Sequence, residues 1–351
     1  MNVPHSQPLP PIPVTILTGF LGAGKTTLLN RLIAAAGDTR IAVVENEFGA
    51  VGIDGGLIGT ASRPDITVVE LANGCVCCSV RGEMSRALAD LADRRDAGTL
   101  AFDRLVLETT GLADPAPVAQ AFFVDEGVRE RYVLDGILTL VDAVHAPAQL
   151  DEQRVAAAQV GFADRLLLTK TDLVDDAQVE ALTERLRRIN ARAPIAPPPT
   201  DGRVADLLAL NAFHLDDVLE IDPTFLTGHH PKGLARSGVV ADASAAEHTR
   251  SWDDDVSSLV LRHPGAVDVD RIGAFVEGLL ETNGNDMLRY KGVLAVRDNP
   301  QRLVFQGVHR ITGFDYGRPW AEGEARESLI VIIGRRLDAA AIEAGFQAAC
   351  R

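Results

Sequence analysis

The sequence has no apolar run long enough to span a bilayer. Its N-terminal stretch MNVPHSQPLPPIP has neither the basic start nor the apolar core of a signal peptide. Both absences point to the cytoplasm and away from a membrane partner. Basic residues are also short, with 34 Lys and Arg against 49 Asp and Glu and a formal charge of -15. That balance repels phosphate backbones and anionic lipid surfaces, which excludes nucleic acid as an expected partner. Cysteine is scarce, at four in 351 residues, and in the cytoplasm thiols read as metal-binding or redox groups before they read as disulfides. A closed structural zinc site takes four ligands, commonly from two separated cysteine pairs, and no second pair exists here.

What is present is an ordinary globular composition, 46% hydrophobic and 24% charged, in a chain longer than one core usually fills. Two domains are expected. From Val14 the apolar, β-branched runs VTIL, IAVVE, ITVVEL, RLVLE, ILTLV and RLLLT alternate with helical patterns. This rhythm predicts an α/β domain over residues 14–215 with a mostly parallel sheet, its ligands at the carboxyl ends of the strands. Residues 1–13 read as a flexible tail and 216–250 as a polar linker. Over 251–351 the runs SSLVLRH, VDRIGAFVEGLLE, LRYKGVLAV, RLVFQGVH, SLIVIIG and DAAAIEAGFQAA predict a smaller α+β domain.

Gly19-Phe20-Leu21-Gly22-Ala23-Gly24-Lys25-Thr26 matches G-x-x-x-x-G-K-[ST], and it lies between a strand and the helical TTLLNRLIAAA, as the phosphate-binding loop requires. Gly19, Gly22, Ala23, Gly24 and Thr27 are expected to line a nucleoside triphosphate with main-chain amides. Lys25 would neutralise the outer phosphates, and the Thr26 hydroxyl would ligate Mg²⁺. RLVLETTG delivers Glu108 to the same rim, followed by Gly111, where a backbone N–H can sense a γ-phosphate. The arrangement resembles the Walker B and switch segments of P-loop GTPases. Glu108 would hold Mg²⁺ through water or orient the attacking water; a cap on the next helix is the plainer alternative. Thr169-Lys170-Thr171-Asp172 resembles the N-K-x-D signature, with Thr169 in place of Asn. There Asp172 would pair with guanine N1–H and the exocyclic amine while the Lys170 stem lies along the base. Adenine lacks that donor pair, so GTP is expected. A helix N-cap at Thr171 or Asp172 is the alternative.

Three of the four cysteines, Cys75, Cys77 and Cys78, crowd into ELANGCVCCSV. In an extended segment Cys75 and Cys77 point to one side and Cys78 to the other unless the chain turns. The cluster suggests an open or exchangeable metal site, with reduced thiols or a redox pair as competing readings. The neighbouring loop VVENEFGAVGID offers Glu45, Glu47 and Asp54. Mixed thiolate and carboxylate ligands suit Zn²⁺, Co²⁺ or Ni²⁺. Both loops belong to the rim that carries the phosphate pocket, so hydrolysis and coordination would influence each other.

GFLGAGKTTLLN (19–30), ENEFGAVGID (45–54), NGCVCC (73–78), ETTGLADP (108–115), LVDAVHA (140–146) and LLLTKTDL (166–173) together resemble the CobW-type family of P-loop GTPases, nearest its YjiA branch. RYKGVLAV, LVFQGVH and SLIVIIG resemble that family's C-terminal domain, so the likeness covers nearly the whole chain. It implies a metallochaperone whose GTP hydrolysis is modulated by a divalent transition metal. Cys77 and Glu45 would be the foremost ligands, with Cys75, Cys78 and Glu47 beside them. Ala50 departs from the ENEFGE of related sequences, so a second carboxylate would be missing or replaced by Glu47 or a histidine.

Less specific features remain. DLLALNAF reads as helical, and His229, His230 and His248 sit in the linker, where solvation or metal capture would explain them. Arg289, Tyr290, Lys291, Trp252 and Trp320 form either a partner surface or packing of the small sheet. His145, His263 and His309 read as structural, and the lone Cys350 says little. The expectation is a GTPase that binds zinc, or else cobalt or nickel, and passes it to a client metalloprotein; a homo-oligomer is left open. The alternatives are a GTP-gated assembly factor whose cysteines hold no metal, and a P-loop phosphotransferase.

Overall fold

The computed structural model describes residues 9–46, 66–70, 80–210 and 256–351. Each apolar run becomes a strand: β1 Ile12–Gly19, β2 Ile41–Asn46, β3 Ile66–Glu70, β4 Arg104–Thr109, β5 Tyr132–Asp142 and β6 Arg165–Thr169. A two-residue β7, Ile195–Ala196, was not anticipated. The order is β3-β2-β4-β1-β5-β6-β7 and every pairing is parallel. β4 and β5 are buried almost end to end, because helices cover both faces of a parallel sheet. β1 lies between β4 and β5, so its carboxyl end opens at the middle of the sheet, where the strand order changes direction. β1 starts at Ile12, inside the segment read as a tail.

The helices of this unit are α1 Lys25–Ala35, α2 Val80–Asp96, α3 Ala116–Val124, the single turn α4 Glu126–Arg129, α5 Ala146–Glu152, α6 Arg154–Phe162 and α7 Asp176–Ile189. A 3-10 stretch, Asp201–Leu208, takes up the start of the segment read as helical. The C-terminal unit holds β8 Val256–Pro264, α8 Val269–Asn283, β9 Met287–Ala295, β10 Gln301–Val308, β11 Ile311–Pro319, β12 Glu327–Arg335 and α9 Ala339–Cys350. Its sheet is antiparallel with order β11-β10-β9-β12-β8, and α8 and α9 close a second core against it around Ile272, Tyr290, Ile332 and Phe346. No described helix is long and apolar enough to cross a membrane. The linker 216–250, with its histidines, and Trp252 lie outside the described residues.

The two units share one apolar seam. Val256, Leu288, Val308 and Ile333 of the C-terminal unit belong to the same buried cluster as the α6 residues Ala157, Val160 and Phe162. Beside it, Asp164 accepts from Arg289 Nη2 at 2.8 Å and Lys291 Nζ at 2.7 Å, and its other oxygen accepts from the Ile137 amide at 2.9 Å. Arg289, Lys291 and the buried Tyr290 thus serve packing within the chain, which decides between the two readings of that stretch. Trp320 is buried beneath the Arg302 guanidinium, 4.4 Å from its ring centroid, and His309 is tilted against Phe162.

Candidate nucleotide site

The segment after β1 has the backbone its motif demands. Gly24 holds φ +91 at the N-cap of α1, a left-handed conformation costly for residues with a Cβ, and a Cβ placed there would meet nothing within 4 Å. The open space lies at the positive end of an 11-residue helix with no acidic residue in its first turn, a setting suited to phosphate. Gly19 and Gly22 also have positive φ, Ala23 is buried, and Thr27 lines the adjoining cavity. Lys25 is 8% exposed, and its ammonium donates to the Gly19 and Phe20 carbonyls at 3.1 Å each. The charge is thereby held inside the loop.

A cavity of about 680 Å³ opens here, lined by Gly22, Gly24, Lys25, Thr26 and Thr27, by Glu45, and by the segment Glu108–Asp114. The Thr26 hydroxyl donates to Glu108 Oε1 at 3.1 Å. Two hard oxygen donors beside the phosphate loop fit Mg²⁺. Glu108 caps no helix: α3 starts at Pro115–Ala116, where Asp114 accepts from the Ala116 amide at 2.9 Å. Glu45 is 6% exposed and in register with Glu108 on the neighbouring strand, and Glu70 on β3 continues the same row. Gly111 crosses so close to the loop that a Cβ would fall 2.5 Å from Leu21 Cα, which excludes other residues. Glu47, Asp54, Cys75, Cys77 and Cys78 lie outside the described residues. Among the described residues, no group of three His, Cys, Asp or Glu is arranged to hold a metal.

Thr169, Lys170 and Asp172 are not part of the cavity wall; Thr169 ends β6 and the other two follow it, across β5 from the phosphate loop. Thr169 Oγ1 donates to the Ala23 carbonyl at 2.9 Å, with the Val141 carbonyl at 3.4 Å. The threonine in the asparagine's place therefore braces the phosphate loop through a hydroxyl. Lys170 adopts φ +57 and donates to Asp142 Oδ2 at 2.7 Å. Asp172 is exposed within the 3-10 turn Thr171–Leu173. The cap of α7 is instead Asp175, in a reciprocal capping box with Gln178, so neither Thr171 nor Asp172 caps that helix.

Asp142 was missed from sequence. Burial pushes its carboxyl up, but the Lys170 ammonium, the His145 ring at 2.8 Å and the Val144 amide together hold it below its ordinary value. It fixes the Lys170 ammonium at the end of β5. The available signal was an aspartate ending a strand in LVDAVHA.

Residues 13–197 match the CobW/HypB/UreG nucleotide-binding domain, and residues 256–350 match the cobalamin synthesis protein cobW C-terminal domain. The chain belongs to the CobW/HypB/UreG family. The zinc chaperone YjiA of Escherichia coli is 43% identical over 338 residues, covering 96% of this chain and 98% of that protein. The zinc-regulated GTPase metalloprotein activator 1 of Saccharomyces cerevisiae is 30% identical over 95% of this chain and 82% of its own length. Among solved structures, the Zn(II)-bound YjiA GTPase from E. coli matches with a TM-score of 0.70 and 38% identity, covering 98% of this chain and all of that one. As a CobW-type protein, the chain carries both family units in order.

Proposed function

We propose that the protein is a cytoplasmic GTP-hydrolysing metallochaperone that binds Zn²⁺ at Cys77 and Glu45, aided by Cys75, Cys78 and Glu47, and delivers it to a client metalloprotein. Co²⁺ and Ni²⁺ are also compatible with such a ligand set. The observation that carries the proposal is the position of Glu45: a buried carboxylate in the wall of the phosphate cavity, in register with Glu108. A ligand so placed would connect metal coordination to the occupancy of the γ-phosphate site. The zinc chaperone and GTPase names of the relatives support the same assignment.

In this reading the first-turn amides of α1 and Lys25 bind and orient the triphosphate, and Lys25 offsets charge on the transferred phosphoryl group. Mg²⁺, held by Thr26 with Glu108 behind it, supplies further charge neutralisation when bound. Glu108 orients a water on the rim, while Asp172 selects guanine and Lys170, set by Asp142, flanks the base.

The test is GTP turnover by metal-stripped protein in Mg²⁺ during titration with Zn²⁺, Co²⁺ and Ni²⁺, for the wild type and Cys77→Ala. The expected result is a metal-dependent rate that Cys77→Ala loses, with GTP affinity within about threefold of wild type. Unaffected turnover without tight metal binding would leave the cysteines as bystanders and favour a GTP-gated assembly factor.

A further inference from the structure

Gln159 belongs to no nucleotide motif, yet it is fully buried on α6 and faces the cavity wall from behind. Its Nε2 donates to the carbonyls of Gly111 at 3.2 Å and Ala113 at 3.1 Å. Both donors of one amide are thus committed to one loop. The main-chain carbonyl of Gln159 accepts from Thr139 Oγ1 at 3.0 Å, which ties the helix to β5. Less than one turn further along, α6 meets the C-terminal unit. A Cβ on Gly161 would come within 3.0 Å of Leu288 and 3.3 Å of Ile333, and the Phe162 carbonyl accepts from Arg289 Nη1 at 2.5 Å. Asp164 completes the attachment through Arg289 and Lys291.

We propose that Gln159 is a positioning residue that couples the phosphate-sensing segment Gly111–Ala113 to the C-terminal unit through α6. The proposal rests on the GTPase reading above. Gly111 is confined between Leu21 on one side and the Gln159 amide on the other. A shift of about 1 Å toward a γ-phosphate takes both amide contacts out of hydrogen-bonding range or draws α6 along. Because α6 is packed against β9, either outcome changes how firmly the C-terminal unit is held. The quantity that reports the coupling is a response at β9 to a change at the nucleotide.

The experiment uses the full chain and follows amide hydrogen exchange over 287–308 in GDP and in a non-hydrolysable GTP analogue with Mg²⁺. The wild type should show exchange in 287–293 that differs by about threefold or more between the two nucleotides. In Gln159→Leu, which keeps the volume without the donors, the difference should vanish and kcat should fall by about tenfold, with KM and GDP affinity within about twofold of wild type. Gln159→Asn, an amide one methylene too short, should behave like Gln159→Leu. Equal exchange in both nucleotides in the wild type overturns the proposal without recourse to any variant, as does a Gln159→Leu protein that keeps the difference. A wild type that binds no guanine nucleotide overturns the GTPase reading and this proposal together; normal turnover with unresponsive β9 amides overturns this proposal alone.

Discussion

Thr169 shows how a departure from a familiar motif is absorbed by one hydroxyl. Its bond to the Ala23 carbonyl braces the loop that cradles phosphate. Thr169→Ala leaves that buried carbonyl without its side-chain donor, at a cost of about 1–2 kcal/mol. Guanine nucleotide affinity should therefore drop by about 5- to 30-fold, read by calorimetric titration with GDP. Val in the same place should behave like Ala, whereas Ser should restore most of the loss. The phosphate-loop residues were legible because Gly22, Gly24, Lys25 and Thr26 fall within five consecutive positions and their chemistry depends on that spacing. Asp142 and Gln159 were not, because their partners are distant in sequence: Lys170 lies 28 residues from Asp142, and Gly111 lies 48 from Gln159. In RVAAAQVGF a glutamine reads as the polar mark of a solvated face; burial on all sides came only with the sheet in front and β9 behind.

At the scale of elements, the six long parallel strands were readable as apolar runs because both sheet faces are covered. β11, Ile311–Pro319, was not, for an identifiable reason. Gly313 lies on the face turned toward Phe123 and offers no apolar side chain to it, while Phe314, 73% exposed, and Tyr316, 46% exposed, point outward. Its pattern is the reverse of a half-buried strand, and two glycines and a proline read as a turn. The start of α7 offers a cleaner separation of roles. Asp175 caps the helix while Asp172 stays exposed three residues earlier. Asp175→Ala should lower unfolding stability by about 1 kcal/mol with GTP affinity unchanged. Asp172→Ala should leave stability within about 0.5 kcal/mol and weaken GTP severely. Denaturant melts and nucleotide titrations of the two variants check the assignment; an exchange of phenotypes would mean that the helix cap and the base reader had been confused.

For the whole molecule, the ion cluster at the seam makes an asymmetric prediction. Asp164 is one carboxylate facing two cations. Burial pushes its acid group up, but Arg289 and Lys291 outweigh that and hold it below its ordinary value of 3.8. Burial and then Arg289 push Lys291 down from 10.5 to about 8, against the opposing pull of Asp164. Asp164→Asn removes the carboxylate that two buried cations share and should cost about 3–5 kcal/mol. Lys291→Met keeps the Arg289–Asp164 pair and removes a like-charge neighbour, so it should change stability by less than about 1 kcal/mol, in either direction. The pH dependence has the same sign at the two ends, stability rising with pH in each. As pH falls through the lowered Asp164 value, the unfolded chain has already bound the proton and the stability from the ionised carboxylate is lost. Between about 8 and 10.5 the folded state has released the Lys291 proton that the unfolded chain still holds, so this group makes stability rise with pH. Chemical denaturation across that alkaline window should show the rise in the wild type and lose it in Lys291→Met.

The position of β12 bears on how the chain matures as it is made. β12 is the last strand in sequence, yet it lies between β9 and β8 in the C-terminal sheet. The ribosome delivers β8 and β9 well before the strand that joins them, and no hairpin can close the gap in the meantime. Among the described residues, the nucleotide-binding unit has all its strands by Ala196 and can fold while the rest is still emerging. Until residues 327–335 leave the exit tunnel, however, β9 lacks its neighbour on one side and Ile333 is missing from the cover over Gly161, so the nascent chain carries the α6 surface only partly packed. A stop codon before β12 would release a protein with its phosphate loop formed, its second sheet split between β8 and β9, and that apolar flank left only partly covered, a natural target for quality-control proteases.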